Sequence, residues 1–381
     1  MRIVINGWFA VHDVQTGSGQ YLRALLEWLP RVAPEHDYHL VAPQASPAAL
    51  LLPEGAGYKV TPVRCGNSNF DKLRFEQWQF PRACRALRAE LAHVPYWAPP
   101  LASPAPIVVT IHDIIPVLLP EYRRGRRAGL YTALVSAAAR GASLVLTDSQ
   151  ASARDIQQHL GLPAAKVRTI YLAADPVYQP KGDWRVDDPI REKYGLTEGY
   201  VFYCGGFDQR KNLRALLSAW TWPAGAVGQS YPLVIAGQLP TPDGVMFEDL
   251  PALAQELNVA DTVKFIGPVA EADKPALYRG ATVFAYPSRY EGFGLPPLEA
   301  MASGVPVVTT TSGSLPEVVE TAGYLLSPDD TRNFGAALIT VIVEPQVHDD
   351  LRARGLAQAK KFSWEKTARE TAAAYSSVAN R

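Results

Sequence analysis

Three cysteines in 381 residues, Cys65, Cys84 and Cys204, are odd in number and widely separated. That excludes a disulfide framework and the close ligand spacing of a zinc site, and it suits a reducing cytoplasm, the expected location. Net charge is also missing. Lys plus Arg (37) equals Asp plus Glu (37), so a nucleic-acid partner is not expected, and a 48% hydrophobic composition excludes a disordered chain. No run approaches the roughly 18 apolar residues that cross a bilayer. The opening MRIVINGWFA turns polar too soon for a secretory signal. The expected protein is soluble, or at most peripheral to a membrane. Low-complexity tracts and obvious internal repeats are lacking too.

The zero balance hides a gradient: residues 1–180 carry five more basic than acidic side chains, and residues 181–381 five more acidic than basic. A basic half could face a phosphorylated acceptor or an anionic membrane, but the simpler reading is an ordinary solvated face. The length is too great for one ordinary core and comfortable for two, since domains run to about 100–200 residues.

What the chain does contain is a repeating strand and helix pattern. Arg2–Asn6 is a short β-branched run, followed by Gly17-Ser18-Gly19 in a predicted loop and by Tyr21–Leu29 with leucines at helical spacing. Further strands are predicted at His39–Ala42, Ile107–Ile111 and Leu144–Thr147, the last leading to a helix capped by Ser149. After residue 180 the pattern restarts, with strands at Val201–Cys204, Leu233–Ala236, Val263–Ile266, Thr282–Ala285 and Val305–Thr309 and helices over Leu213–Trp220 and Pro275–Tyr278. The fold class is therefore α/β, with two parallel-sheet domains. The Pro-containing stretch Ala173–Asp188, poor in periodicity, reads as the linker. Two such domains facing each other would turn their strand ends toward one cleft, the expected ligand site.

The most informative segment runs from Ser288 to Val308, SRYEGFGLPPLEAMASGVPVV. A strand ends, a glycine loop follows, a helix begins, and Glu291 and Glu299 flank the loop with seven residues between them. Glycines at 292 and 294 let backbone N–H groups approach a ligand, and the helix start behind them suits an anion. Carboxylates accept paired hydrogen bonds from vicinal hydroxyls, such as those of a sugar or a ribose. Either glutamate alone reads as a surface charge, whereas the whole string does not.

This E-x7-E segment resembles that of the family 4 glycosyltransferases, and other markers of the family recur in order along nearly the full chain. The resemblance implies a GT-B fold of two Rossmann-like domains and transfer from a nucleoside-diphosphate sugar with retention of configuration. No DxD-bound metal or other cofactor is implied, and no two aspartates stand two apart in this sequence. The implied domains are residues 1–175 on the acceptor side, residues 176–362 binding the nucleotide sugar, and a last helix, 363–381, returning to the first domain, with Trp364 in a packing role.

By position, Glu291 would hold donor-sugar hydroxyls and Glu299 the ribose hydroxyls, while Phe293, Gly294 and Leu295 beside Gly292 would offer backbone amides. In Gly205-Gly206-Phe207-Asp208-Gln209-Arg210-Lys211-Asn212, Lys211 resembles the family lysine that neutralises the departing diphosphate, with Arg210 as helper. Basic residues at a helix start oppose its dipole, which favours a functional reading of the pair. Many members have arginine where this chain has Gly206, which raises the demand on Arg210 and Lys211. Gly17, Ser18 and Gly19 resemble the loop that closes on the diphosphate from the first domain. A lone G-x-G is weak, and a tight turn would explain it too.

His112, just beyond a predicted strand, matches a histidine that lies beside the donor sugar. Asp113 reads equally as a cap or a salt-bridge partner, and His12 and His93 as structural. Val269, after the strand at 263–266, would meet the nucleobase. The Arg123, Arg124, Arg126 and Arg127 cluster reads as a contact with anionic lipid or as a solvated helix face.

The resemblance points first to bacterial polysaccharide mannosyltransferases using GDP-mannose and next to a UDP-glucose-dependent glucosyltransferase, with a glycan or lipid-linked acceptor. A nucleotide-sugar epimerase and a two-domain sugar-binding protein are the more distant alternatives. Oligomeric state is not legible.

Overall fold

A computed structural model describes residues 1–12, 16–44, 57–122 and 125–379. It divides into two compact units: residues 1–172 together with 363–381, and residues 173–362.

The first unit is built on an all-parallel sheet of seven strands: β1 Arg2–Asn6, β2 Asp37–Pro43, β3 Tyr58–Val63, β4 Leu91–Val94, β5 Ile107–Thr110, β6 Leu144–Thr147 and β7 Val167–Thr169, in the order β3-β2-β1-β4-β5-β6-β7. The central strands β1, β4, β5 and β6 are almost wholly buried, as strands covered on both faces by helices must be. β1 starts β2's register with Arg2 opposite Asp37 and faces β4 with Ile3 opposite Leu91. The strand order therefore reverses at the β1/β4 junction.

β3, β4 and β7 were not predicted. β3 is a largely solvent-facing edge strand with a proline, and an edge position is one that tolerates Pro62. β4 carries a histidine inside its short apolar run, and β7 has only three residues, too short for a periodicity to register.

Gly17, Ser18 and Gly19 do not form a loop. They make the first turn of the helix Gly17–Val32, whose N-cap Thr16 accepts the Gly19 N–H at 3.3 Å, so the cap rather than the glycines ends the preceding segment. The predicted Ser149 cap is present, accepting the Ser152 N–H at 3.0 Å.

The terminal helix Trp364–Ala379 packs on the helix Gly17–Val32. Trp364 is buried 6.4 Å from the Tyr21 ring, and Thr367 Oγ1 donates to the Tyr171 carbonyl at 2.6 Å. Behind them runs a buried polar chain: Tyr375 Oη meets His93 Nδ1 at 2.7 Å, His93 Nε2 meets Thr110 Oγ1 at 2.9 Å, and Tyr21 Oη reaches the same Thr110 oxygen at 3.1 Å. Burial holds His93 down at about 3, with His112 adding to the effect. His93 is thus a neutral structural hub, as the sequence reading had it.

The second unit carries six parallel strands: β8 Tyr200–Cys204, β9 Leu233–Ala236, β10 Val263–Gly267, β11 Ala281–Tyr286, β12 Val307–Thr310 and β13 Gly323–Leu326, in the order β10-β9-β8-β11-β12-β13. The reversal falls between β8 and β11. The stretch read as a linker is irregular only up to Asp183, which caps the helix Trp184–Lys193 by accepting the Arg185 N–H. That helix belongs to the second unit, fixed by Asp187 against Arg279 at 2.6 Å. Charged residues and Pro189 masked its period.

Candidate active site

In an open parallel sheet, ligands bind beyond the strand ends where the order reverses. In the second unit that point is marked by the segments leaving β8 and β11, and these carry the two markers read in the sequence. The segment after β8 ends in a single 3-10 turn, Gln209–Lys211, and Asn212 then takes a left-handed conformation (φ 57°) before the helix Leu213–Ala226. Arg210 and Lys211 were expected at that helix's start. They instead close the preceding turn, where cations complement the local dipole.

Asn212 is pinned from both sides. Its Nδ2 donates to the Pro287 and Pro328 carbonyls at 3.1 and 2.8 Å, and its Oδ1 accepts from Arg289 Nε at 3.1 Å. The bend it makes aims Lys211 at the loop after β11.

Glu291 lies there, buried, and its two oxygens are occupied. Oε1 accepts from Lys211 Nζ at 2.7 Å and Ser288 Oγ at 2.6 Å, and Oε2 accepts from Arg210 Nη1 at 3.0 Å. Arg210 also donates to the Tyr290 carbonyl at 2.9 Å and stands 3.4 Å from Asp208. Burial alone would raise the Glu291 carboxyl, but the Lys211 ammonium and the Arg210 guanidinium reverse this and hold it at about 2. Burial pulls Lys211 down, Glu291 opposes that, and Arg210 adds to the pull. Lys211 Nζ donates additionally to Tyr286 Oη at 2.6 Å. An ammonium has three hydrogens, so this geometry leaves one to point at an incoming oxygen.

The loop holding Glu291 is clamped from below. Ser314 Oγ lies against the carbonyls of Glu291, at 3.0 Å, and of Phe293, which share its single hydrogen. Gly292 and Phe293 lead to Gly294, which caps the helix Leu295–Ala302 at φ 114°, a conformation that glycine takes without strain. Phe293 is buried edge-on against Phe362 at 5.9 Å.

On the same helix, Glu299 is also buried and accepts from Tyr278 Oη at 3.0 Å. Burial raises its carboxyl to about 7; Lys274 and the Tyr278 bond act against this, and Glu271 and Asp175 add to it. The two glutamates of one motif are thus driven apart, Glu291 toward the ionised form and Glu299 toward the protonated one. Val269 lies just past β10, half-buried in an irregular segment.

In the first unit, His112 follows β5. Its Nδ1 lies 2.7 Å from Asp148 Oδ2, its Nε2 lies 3.3 Å from the Pro95 carbonyl, and the Tyr21 ring stands edge-on at 5.0 Å. Burial disfavours the imidazolium, yet the Asp148 carboxylate outweighs it and the ring is held above its ordinary range. Asp113 caps locally, accepting the Ile115 N–H at 3.1 Å.

The structure thus gathers Arg210, Lys211 and Glu291, predicted from two separate segments, into one ion cluster, with Glu299 beyond it on the following helix. The sequence reading missed Ser288, Tyr286, Asn212, Tyr278 and Asp148 as partners. Strand-end position could have signalled Tyr286, Ser288 and Asp148, whereas Tyr278 sits within the helix Lys274–Gly280 and Asn212 at a helix cap, with no such signal. Arg123 and Arg124, and the side chains of Arg126 and Arg127, lie outside the described residues.

Two Rossmann-type units, with a glycine turn, a basic pair and two buried carboxylates at the switch point of the second, define a sugar-transferring enzyme of the GT-B class. Residues 16–177 match the family model described as Glycosyltransferase Family 4, and residues 186–361 that of Glycosyl transferases group 1. The chain is 36% identical over 269 residues to the O-antigen chain mannosyltransferase B of Escherichia coli, covering 70% of this chain and 69% of that one. It is 28% identical over 271 residues to the serotype-specific mannosyltransferase WbdA of Escherichia coli, covering 68% of this chain but only 32% of WbdA. HepE from Anabaena, solved in complex with UDP-glucose, shares the fold with a TM-score of 0.75 at 21% identity, over 99% of this chain and all of HepE. The chain belongs to the family 4 glycosyltransferases.

Proposed function

We propose that this glycosyltransferase transfers mannose from GDP-mannose to a growing glycan of a bacterial surface polysaccharide, with retention of configuration. The observation that carries the reading is the buried Arg210–Lys211–Glu291 cluster at the β8/β11 switch point. Mannose is supported by the mannosyltransferase relatives, whose similarity covers most of this chain.

In this reading the donor's diphosphate takes the remaining hydrogen of Lys211, with Arg210 beside it. Charge developing on the leaving group is met by cations already desolvated and oriented, the arrangement that contributes most to electrostatic catalysis. The amides of Gly292, Phe293, Gly294 and Leu295 serve the diphosphate or the sugar, Glu291 the sugar hydroxyls and Glu299 the ribose. Val269 serves the base. In the first unit, the helix start at Gly17, Ser18 and Gly19 serves the diphosphate, and His112 the sugar.

Glu291 is held in the ion cluster through both oxygens, Oε2 by one bond only, so it can still accept a sugar hydroxyl but is not a carboxylate released to form a covalent intermediate. We therefore assign front-face attack, in which the departing phosphate takes the acceptor proton. No metal is assigned to the reaction, since Lys211 and Arg210 supply the positive charge; turnover should persist in EDTA.

The location proposed is cytoplasmic. Cys65, Cys84 and Cys204 are all free thiols, which fits a reducing compartment. No helix among the described residues is long and apolar enough to cross a membrane.

The test is a thermal-shift series with GDP, UDP, ADP, GDP-mannose and UDP-glucose, followed by transfer assays with the donor that binds. Selective stabilisation by the guanine nucleotides is expected through mass action. Selective stabilisation by UDP and UDP-glucose would replace mannose with glucose. A folded sample that responds to none would remove the donor assignment.

A further inference from the structure

His112 and Asp148 are brought together by sheet register. β5 and β6 are parallel neighbours with Thr110 opposite Leu146. Two residues on from this pair, just past the ends of β5 and β6, stand His112 and Asp148, so the register that builds the sheet also brings the dyad together. Both ends are fixed. Asp148 is 3% exposed, and the next residue, Ser149, caps the helix Gln150–Leu160. On the other side, Ser152 Oγ of that helix donates to the His112 carbonyl at 3.0 Å.

What surrounds the imidazole decides which protonation state it can hold. Nδ1 faces the Asp148 carboxylate and Nε2 faces the Pro95 carbonyl. Both are acceptors, and only an imidazolium can donate from both nitrogens. The remaining neighbours agree. Asp113 adds negative charge, and the Tyr21 ring presents its edge at 5.0 Å. His93 on the neighbouring strand β4 is held neutral within its own hydrogen bonds to Thr110 and Tyr375. Two histidines in one unit are thus driven in opposite directions: burial holds His93 down, and the Asp148 carboxylate holds the half-buried His112 up.

We propose that Asp148 is a positioning residue that keeps His112 doubly protonated, so that His112 serves the transfer as a cationic hydrogen-bond donor and not as a base. This rests on the reading of His112 as a residue that serves the donor sugar. A cationic donor suits the front-face route, because a sugar or phosphate oxygen can take the place of the Pro95 carbonyl at Nε2. That route asks the protein to stabilise negative charge on the leaving phosphate and does not ask it to remove a proton.

The test combines an NMR titration of the His112 ring, assigned with His112→Gln, and the pH dependence of kcat/KM, each in the wild type and in Asp148→Asn. Asparagine keeps the shape and an acceptor for Nδ1–H but removes the charge. The wild-type ring should titrate above the ordinary histidine range, and activity should fall on the alkaline side as it loses its proton. In Asp148→Asn both transitions should move to lower pH together, and Asp148→Glu should move both back.

A His112 titration unchanged in Asp148→Asn would overturn the proposal, as would a shifted titration with an unshifted rate profile. If Asp148→Asn does not fold, the wild-type titration still decides: a ring titrating at or below the ordinary range overturns the proposal. Wild-type turnover in His112→Gln would instead sink the role of His112 itself, a separate failure from that of Asp148.

Discussion

Glu291 and Glu299 are the same residue type in one motif, one in the loop after β11 and the other in the helix that follows it, yet the protein treats them oppositely. Glu291 is held at about 2 by two cations, so its pairing contributes stability above about pH 4.5, and this is lost only as pH falls through about 2. Replacing Lys211 with alanine should lose charge-assisted bonds of about 1.5–3 kcal/mol each. Leaving a buried carboxylate with one cation instead of two should lower stability as well, by up to about 3–5 kcal/mol. Turnover and thermal unfolding of Lys211→Ala should therefore fall together, and wild-type turnover would count against the diphosphate assignment. Glu299, raised by burial to about 7, binds a proton in the folded protein that the unfolded chain has already released. Its contribution to stability is present below about pH 4.5 and is lost as pH rises through about 7. Ribose hydroxyls donate best to the ionised form, so nucleotide affinity should rise as pH increases through about 7. Glu299→Gln should flatten that dependence in a titration of bound nucleotide against pH.

At the scale of single elements, the loop after β11 that holds Glu291 depends on a turn that precedes the helix Leu315–Val319. Gly313 has φ 57°, and a Cβ there would lie 2.6 Å from the Glu291 carbonyl oxygen and 2.8 Å from its nitrogen. Both are backbone atoms that cannot rotate away. Gly313→Ala should therefore push Glu291 out of the ion cluster, with strain of about 1–3 kcal/mol, and lower kcat more than it lowers the unfolding temperature. A normal kcat in this variant would mean that the loop can shift without harm. Elements of this kind differ in how legible they are. β1, β6 and β9 were read to the residue because each is a short run of β-branched or apolar residues buried on both faces. The Gly17–Gly19 turn was misread because glycines suggest a loop, while the side chain of Thr16 decides the helix start. The helix Trp184–Lys193 was missed because its charged sequence and internal Pro189 leave little apolar period, and its stability comes instead from contacts such as Asp187 with Arg279.

Across the whole molecule, the chain's last helix belongs to the first unit although 190 residues of the second unit intervene. Tyr375, Thr367 and Trp364 place three buried contacts on β4, on the segment after β7 and on the helix Gly17–Val32. Truncation before Ser363 would leave His93 Nδ1 without its partner inside the core, a cost of about 1–3 kcal/mol for the stranded polar group, in addition to the exposed apolar face. The truncated chain should lose stability first in residues 1–172, visible as faster amide exchange in β4 and β5 while β8 and β11 stay protected. Uniform protection in both units would show that the helix is dispensable.

The amino-acid sequence alone determined the α/β class, the two-domain plan and the positions of the basic pair and the two glutamates. These follow from local periodicity and from residue spacing along one stretch of chain. Tertiary structure alone decided that Lys211 and Arg210 grip Glu291, that burial pushes the Glu299 carboxyl up, and that Asp148 holds His112. Each of those depends on which strands lie side by side and on how much water is excluded, and an ionisable group's state is set by neighbours that reach it through the sheet and not through the sequence.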